Sequence, residues 1–444
     1  MTDWDDAERR VERAQELFEQ RRWHEALAEL KAAIHINPYN GSWLFNVGLT
    51  LDELGRWDEA IDAYRQALEI DPNDLQSMNH LGVDLHRVGR YDDALRTFEK
   101  LEQVDATFEP SYCNRIITFT ELGDHEKAEE MFYLARLYKE HCPHCYYNIG
   151  CSLHDRKQYD RAIYCWQKTL DLDDGHPQVR IRIAEALWDK GELEQARQYY
   201  LKGLRQDPGD TDTLLDLGEL LVDMHRLDEA GEKFRRVIEL APEDPAGHYC
   251  LGRWMVRRGQ YDAAFASFEQ VLRLDPTYPG AHLRLAELAH RRKDRRLARR
   301  HLRAEILLRP VDQQTLVDLG NLLMDVGQVR TSIACLKRLV AAHPDHVSGW
   351  QNLAVAQFLR NLINDGIDSS RRALELDPHN VSVAYNLALG LERAGRYDEA
   401  IDLVRDAMAR APQDASLQRL EMRLRLLRAK DAVVRGVRKL AFWK

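Results

Sequence analysis

Apolar residues recur along this chain at spacings of three and four, in short blocks separated by turn residues. Leu44, Val47, Gly48 and Leu51 follow i, i+3, i+4, i+7, and Trp57, Ala60, Tyr64 and Ala67 repeat the spacing shortly afterwards. Each block predicts one amphipathic helix with a single stripe turned to a core. Gly55, between the blocks, is the residue most easily placed in the left-handed region and ends the first helix. Pro72 halts the second, and Asn73-Asp74 offer N-caps to whatever follows. The predicted unit is therefore a helix-turn-helix hairpin.

The hairpin repeats. LDELGRWDEAIDAYRQALEIDPND at 51–74 and LERAGRYDEAIDLVRDAMARAPQD at 391–414 begin 340 residues apart, ten times thirty-four. One 34-residue register runs without insertion or deletion from Ala7 to Asp414, through units beginning at Ala7, Gly41, Leu75, Glu109, Pro143, Pro177, Thr211, Pro245, Pro279, Gln313, Val347 and Val381. Position 20 is small in all twelve, from Ala26 through Ser332 and Gly366 to Ala400. Position 8 is Ala or Gly except at Ile116, and position 32 is proline in nine units. Small residues such as Gly48 and Ala60 let two helices approach closely, while Tyr64 and Leu51 fill the space around them.

The residues just quoted resemble the tetratricopeptide signature, W-x2-L-G-x2-Y…A-x3-F…P, over residues 7–414. The resemblance implies an all-α, right-handed superhelical solenoid of helix-turn-helix repeats, with first helices lining a concave groove and second helices on the convex side. Residues 1–6 are then a lead-in. Residues 415–444 form a capping helix with the stripe Leu417, Leu420, Leu424 and Leu427, as the open end of a solenoid requires. That segment carries nine Lys/Arg against Glu421 and Asp431. Val434, Val437, Leu440 and Trp443 beside Arg435, Arg438 and Lys439 offer an apolar edge for a membrane surface or a partner, as an alternative to a plain solvated cap.

Members of that family contact ligands through positions 2, 5, 6, 9, 12 and 13 of the first helix. Position 6 is asparagine at Asn46, Asn114, Asn148, Asn352 and Asn386. An amide both donates and accepts, so it can hold a peptide backbone whatever its sequence. Helices about 9–10 Å apart and a chain rising about 3.3 Å per residue match one repeat to about three peptide residues. Charges alternate along the same positions: Asp212, Asp216, Glu219 and Asp223, then Arg253, Arg257, Arg284 and Arg291, then Asp318 and Asp325. The lysine and asparagine with which chaperone-binding members clamp a carboxylate are missing, since position 5 is never lysine and position 9 is asparagine only at Asn321.

Three repeats break the pattern. The fourth has Arg115-Ile116 for the usual Leu-Gly and Glu140 for proline, which predicts a locally weak unit. The ninth has Glu305 at a small packed position, and the eleventh has Gln357, Gly366 and Ser370 where apolar or larger groups are usual.

Composition adds exclusions. At 444 residues, 44% hydrophobic, 31% charged and with net charge −10, the chain has much solvated surface and no general affinity for nucleic acid. The basic run 291–303 lacks interleaved aromatics, so it provides no stacking platform for single strands. MTDWDDAERR has neither a basic nor an apolar leader region, and a reducing cytoplasm is the expected location. No phosphate-cradling glycine loop, H-E-x-x-H or G-x-S-x-G is present, and the repeat occupies nearly the whole chain, so no enzyme and no cofactor are expected.

Seven unevenly spaced cysteines predict no disulfide framework. HCPHCYYNIGCSLH at 141–154 places Cys142 and Cys145 in a C-x2-C, with Cys113, Cys151 and His154 within reach. One C-x2-C supplies half of a zinc site and no second half follows in sequence, so these cysteines are expected to be inert. The resulting reading is a protein-interaction scaffold that binds extended peptide segments. The alternatives are a non-catalytic adaptor subunit of an enzyme complex and a metal or redox sensor built on the cysteines of 113–165.

Overall fold

The computed structural model describes residues 3–176 and 178–441, with side chains from 4 to 434 except at 177. Among the described residues it contains twenty-five α-helices and no strand. They pair as the repeat predicts, a first helix of about three turns and a second of about four, followed by Ala415–Ala441 at the C-terminal end. The helices divide into two units, residues 1–225 and 226–444, with the division between the two helices of repeat seven.

Each hairpin closes around the small residues. All twelve position-20 residues are buried, nine of them Ala at 0% exposure before the eleventh repeat. A Cβ on Gly48 would lie 2.4 Å from Cε1 of Tyr64, and one on Gly150 would lie 2.4 Å from Nε1 of Trp166. The aromatic ring of the second helix thus rests directly on the backbone of the first, which is why position 8 admits so little. Of the offered N-caps Asp74 is used, and Asn40, Asp210, Asp312 and Asn380 act in the same way, each accepting from a backbone N–H of the next first helix.

Position 15 is left-handed in every repeat. Seven of these residues are glycine, with φ from 69 to 87°, and five are not: Arg21, Lys157, His225, Lys293 and Asn361, with φ from 58 to 61°. A Cβ in this region costs roughly 1–2 kcal/mol, part of which glycine returns as chain entropy in the unfolded state. Lys157→Gly is therefore expected to stabilise the chain by about 1 kcal/mol, and Asn361→Gly by less, because asparagine tolerates this conformation. Urea midpoints of the two variants against the parent check the order.

Several expectations need correction. Residues 3–6 belong to the first helix, Asp3–Glu19, and are not a separate lead-in. Trp4 extends the apolar stripe of Ala7 and Val11 by one turn and packs on Trp43 at 5.9 Å. The first helices of repeats six and nine start two residues late, at Val179 and Ala281, behind left-handed Gln178 and Gly280. Their preceding residues, His176 and Tyr278, replace the usual Asp or Asn cap.

The unusual residues of the three irregular repeats make specific contacts of their own. Glu305, 1% exposed, accepts from the backbone N–H groups of Gly280 and Leu283, both at 3.0 Å, and so caps the helix that Gly280 cannot. In repeat eleven Gln357 accepts from Ser369 at 2.7 Å. There the Phe358 ring takes the space left by two glycines, lying 2.4 Å from a Cβ built on either Gly366 or Gly390. In repeat four the buried Arg115 donates to Glu102 at 2.5 Å and lies over the Phe119 ring.

Leu417, Leu420 and Leu424 are buried against repeat twelve and Leu427 is half-buried, so the predicted stripe caps that repeat. The side chains of Arg435, Val437, Arg438, Lys439, Leu440 and Trp443, invoked above for an apolar edge, lie outside the described residues. No described helix is long and apolar enough to cross a membrane.

Candidate functional site on the first-helix face

The predicted asparagines divide into two groups. Asn46 is half-buried in the wall of a cleft of about 390 Å³ whose floor is Val11, Phe18, Leu30 and Leu49. Asn352 and Asn386 are half-buried too, and none of these three side chains has a hydrogen-bond partner among the described residues. Asn114 instead donates to Asn79 at 2.9 Å, and Asn148, buried, donates to the carbonyl of Cys113 at 3.1 Å. Each therefore gives one of its two amide N–H donors to the preceding repeat, and Asn148 also borders the second cleft described below.

The predicted charges divide as well. Arg284 is engaged by Glu287 at 2.7 Å and Asp318 at 3.3 Å, which neutralises it within the second unit. Arg253 and Arg257 are exposed. Asp216 and Glu219 are half-buried in an acidic face; burial, reinforced by Glu185, Asp212, Asp210 and Glu219, pushes the Asp216 carboxyl up to about 6.

A second cleft, of about 340 Å³, opens between first helices of repeats four to six. Ile117, Tyr147, Cys151, His154, Trp166 and Arg182 line it. His154 lies 3.1 Å from Asp189, and Trp166 donates to the Tyr147 carbonyl at 3.0 Å. Tyr147 and Arg182 were not among the expected contacts, although both occupy ligand-contact positions of their repeats. On the second helix of repeat nine, Arg295, Arg296, Arg300 and Arg303 border a basic hollow of about 960 Å³, while Arg299 donates to the Val326 carbonyl at 2.6 Å.

The cysteine expectation is overturned in its geometry. Cys113 and Cys145 are joined as a disulfide. Cys142 Sγ lies 3.5 Å from Cys113 Sγ, and Glu109, one turn before Cys113 on the same helix, turns its carboxylate onto all three sulfurs. Burial, with Glu109, pushes the Cys142 thiol up to about 11. Cys151 and His154 lie in the second cleft and not in this cluster. Burial pushes Cys151 and Cys165 up to about 11, so both are protonated thiols at neutral pH. The missed signal was the Glu109-x3-Cys113 spacing, which puts both groups on one helix face.

Sequence models of the tetratricopeptide repeat match residues 3–74, 147–211, 215–279 and 317–365, two further models match 255–314 with 364–424 and 75–101, and together they leave out 102–146. A peroxisomal targeting signal receptor of Eremothecium gossypii is 28% identical over 115 residues, 26% of this chain and 20% of the receptor, so the chain spans about a fifth of that relative. Among solved structures, a tetratricopeptide repeat protein of Parabacteroides merdae is 16% identical, with 56% of this chain and 99% of that one covered and a TM-score of 0.48. Yeast Tom70 is 14% identical over 96% of each chain, with a TM-score of 0.43. The first of the matched models alone covers more than half of the chain, and its matches lie on the helical hairpins described above: this chain belongs to the tetratricopeptide repeat family.

Proposed function

We propose that the chain is a non-catalytic scaffold whose first-helix faces hold extended segments of partner proteins. The observation that carries this reading is the Asn46 cleft. Its apolar floor suits a buried partner side chain, and the amide on its wall can bond the partner's backbone. Asn352 and Asn386 present the same amide in repeats eleven and twelve. The acidic face around Asp216 selects segments with basic residues, whereas Arg253 and Arg257 select acidic ones.

Linear peptides selected from a displayed library on the intact chain provide the probe, and fluorescence polarisation provides the affinity. Removing one neutral amide contact should cost about 1 kcal/mol, or roughly five-fold in affinity. Peptides selected against the parent should therefore bind several-fold more weakly to Asn46→Ala or to the double Asn352→Ala, Asn386→Ala variant. Arg257→Glu should change which peptides are selected, with an effect that fades at high salt. If the asparagine variants bind unchanged while Arg300→Glu on a second helix abolishes binding, the first-helix face is not the site.

A further inference from the structure

We propose that Glu109, Cys113, Cys142 and Cys145 form a closed site for zinc or a similarly soft divalent cation, tying repeat four to repeat five. One ligand atom from each residue lies within 4.8 Å of the other three. Glu109 Oε1 is 3.0 Å from Cys113 Sγ, 2.5 Å from Cys142 Sγ and 3.4 Å from Cys145 Sγ, and the Cys113 and Cys142 sulfurs are 3.5 Å apart. Ligand atoms sharing one tetrahedral zinc, with Zn–S of about 2.3 Å and Zn–O of about 2.1 Å, stand about 3.5–3.8 Å from one another; the Cys113–Cys142 pair has that spacing, while the closer Glu109 contacts and the bonded Cys113–Cys145 pair must open to it on reduction. The cysteines are 6%, 3% and 1% exposed, as in a structural site with no open position.

A disulfide alone leaves this cluster unexplained. A disulfide sulfur carries no proton, so Cys113 and Cys145 in that form give the carboxylate nothing to accept. Cys142 has a single proton, and it faces Glu109. Four lone-pair atoms then converge in a nearly dry pocket around two donors, the Cys142 thiol and the Cys145 backbone N–H, an arrangement that a cation completes and these two hydrogens do not. The binding form has Cys113 and Cys145 as thiols. Reaching it from the disulfide takes two electrons and two protons: two thiols supply both and leave as a disulfide, whereas a phosphine supplies the electrons and leaves as its oxide while water supplies the protons and the oxygen. Ligation then releases the three cysteine protons to solvent.

The surroundings fit ligation as well. Cys142 caps the helix Pro143–Asp155, and its sulfur receives the Cys145 backbone N–H at 3.3 Å. Lys139 approaches the other Glu109 oxygen at 3.5 Å, and Asn148 fixes the Cys113 carbonyl. Such outer contacts orient ligands and offset their charge. The place in the array is also telling: the cluster spans the repeat that lacks the small position-8 residue and the proline, within the 102–146 stretch that the family models leave out. A cross-link between the start of repeat four and the start of repeat five would replace those missing restraints.

The test uses the full chain, produced with added zinc and purified under a phosphine reductant. Elemental analysis should find one zinc per chain. Cobalt substitution should give thiolate-to-metal charge-transfer bands with the strong d–d absorption of a tetrahedral site. Cys142→Ser and Cys145→Ser should lose the metal, and Glu109→Gln should bind it about ten-fold or more weakly. Should a serine variant fail to fold, the parent still decides the matter. Chelation should strip amide protection from 109–145 while repeat two, 41–74, keeps its own. A reduced chain that takes up no zinc or cobalt, or one whose metal survives both cysteine replacements, overturns the site. Neither result touches the peptide-binding reading, which rests on other repeats.

Discussion

Glu305→Ala is expected to be among the most damaging single substitutions in the second unit, costing about 3 kcal/mol. The side chain looks misplaced, a carboxylate at a position where other repeats bury small or aliphatic groups. Burial raises its pKa, against the pull of the backbone N–H groups of Gly280 and Leu283 that it accepts from. It therefore serves as the cap of a helix from which its own sequence is absent. Alanine would strand two buried donors, each costing about 1–3 kcal/mol, although loss of the buried charge offsets part of this. Glu305→Gln should fall between, since it keeps an oxygen at only one of the two positions that now accept and sets an NH2 group against the other backbone N–H. Urea denaturation gives the order parent, glutamine, alanine, and hydrogen exchange should show the loss concentrated in 280–307. Arg303→Ala, two residues away and exposed, should move the midpoint little. Equal midpoints for alanine and parent would show that the cap is dispensable.

The second large effect is a pH dependence seated in repeat three. Asp84 is 0% exposed, is approached by Arg87 at 3.1 Å, and has a second oxygen without a donor among the described residues. Burial, and then the nearby Asp52, push its carboxyl up to about 7 in spite of Arg87. An unfolded aspartate titrates near 4. The folded state thus holds the proton more tightly, and stability must fall as pH rises from about 4 through about 7, levelling off above. The loss is on the order of 3 kcal/mol after allowance for the half-exposed Arg87. Asp84→Asn removes this slope, so its midpoint should exceed the parent's at pH 8 and approach it at pH 4. A parent and variant that differ equally at both pH values would rule out Asp84 as the titrating group.

Much of the architecture was legible because a 34-residue repeat encodes local geometry. Gly48 against Tyr64, the twelve small residues at position 20 and the caps at Asp74 or Asn380 involve neighbours within one hairpin or across one turn. For these, spacing is contact. The Leu417, Leu420 and Leu424 stripe followed from the same periodicity. The candidate site was legible only as a face: position 6 pointed to Asn46, Asn352 and Asn386, but also to Asn148, which the structure spends on Cys113. Amides at equivalent positions look alike in sequence and differ by what stands a few ångströms away.

By itself the sequence determined the fold class, the register of twelve hairpins and which positions pack, because volume and helical period are properties of residues and their spacing. Tertiary structure alone decided which polar groups find partners. Glu305 meets the N–H groups of Gly280 and Leu283, and Arg284 is neutralised by Glu287 and Asp318. Asp84 is sealed from solvent, and Glu109 converges with three cysteines from two repeats. Those outcomes depend on side-chain direction and on distances of a few tenths of an ångström between helices. The repeat pattern constrains the spacing of helices but leaves the pairing of their charges and sulfurs open.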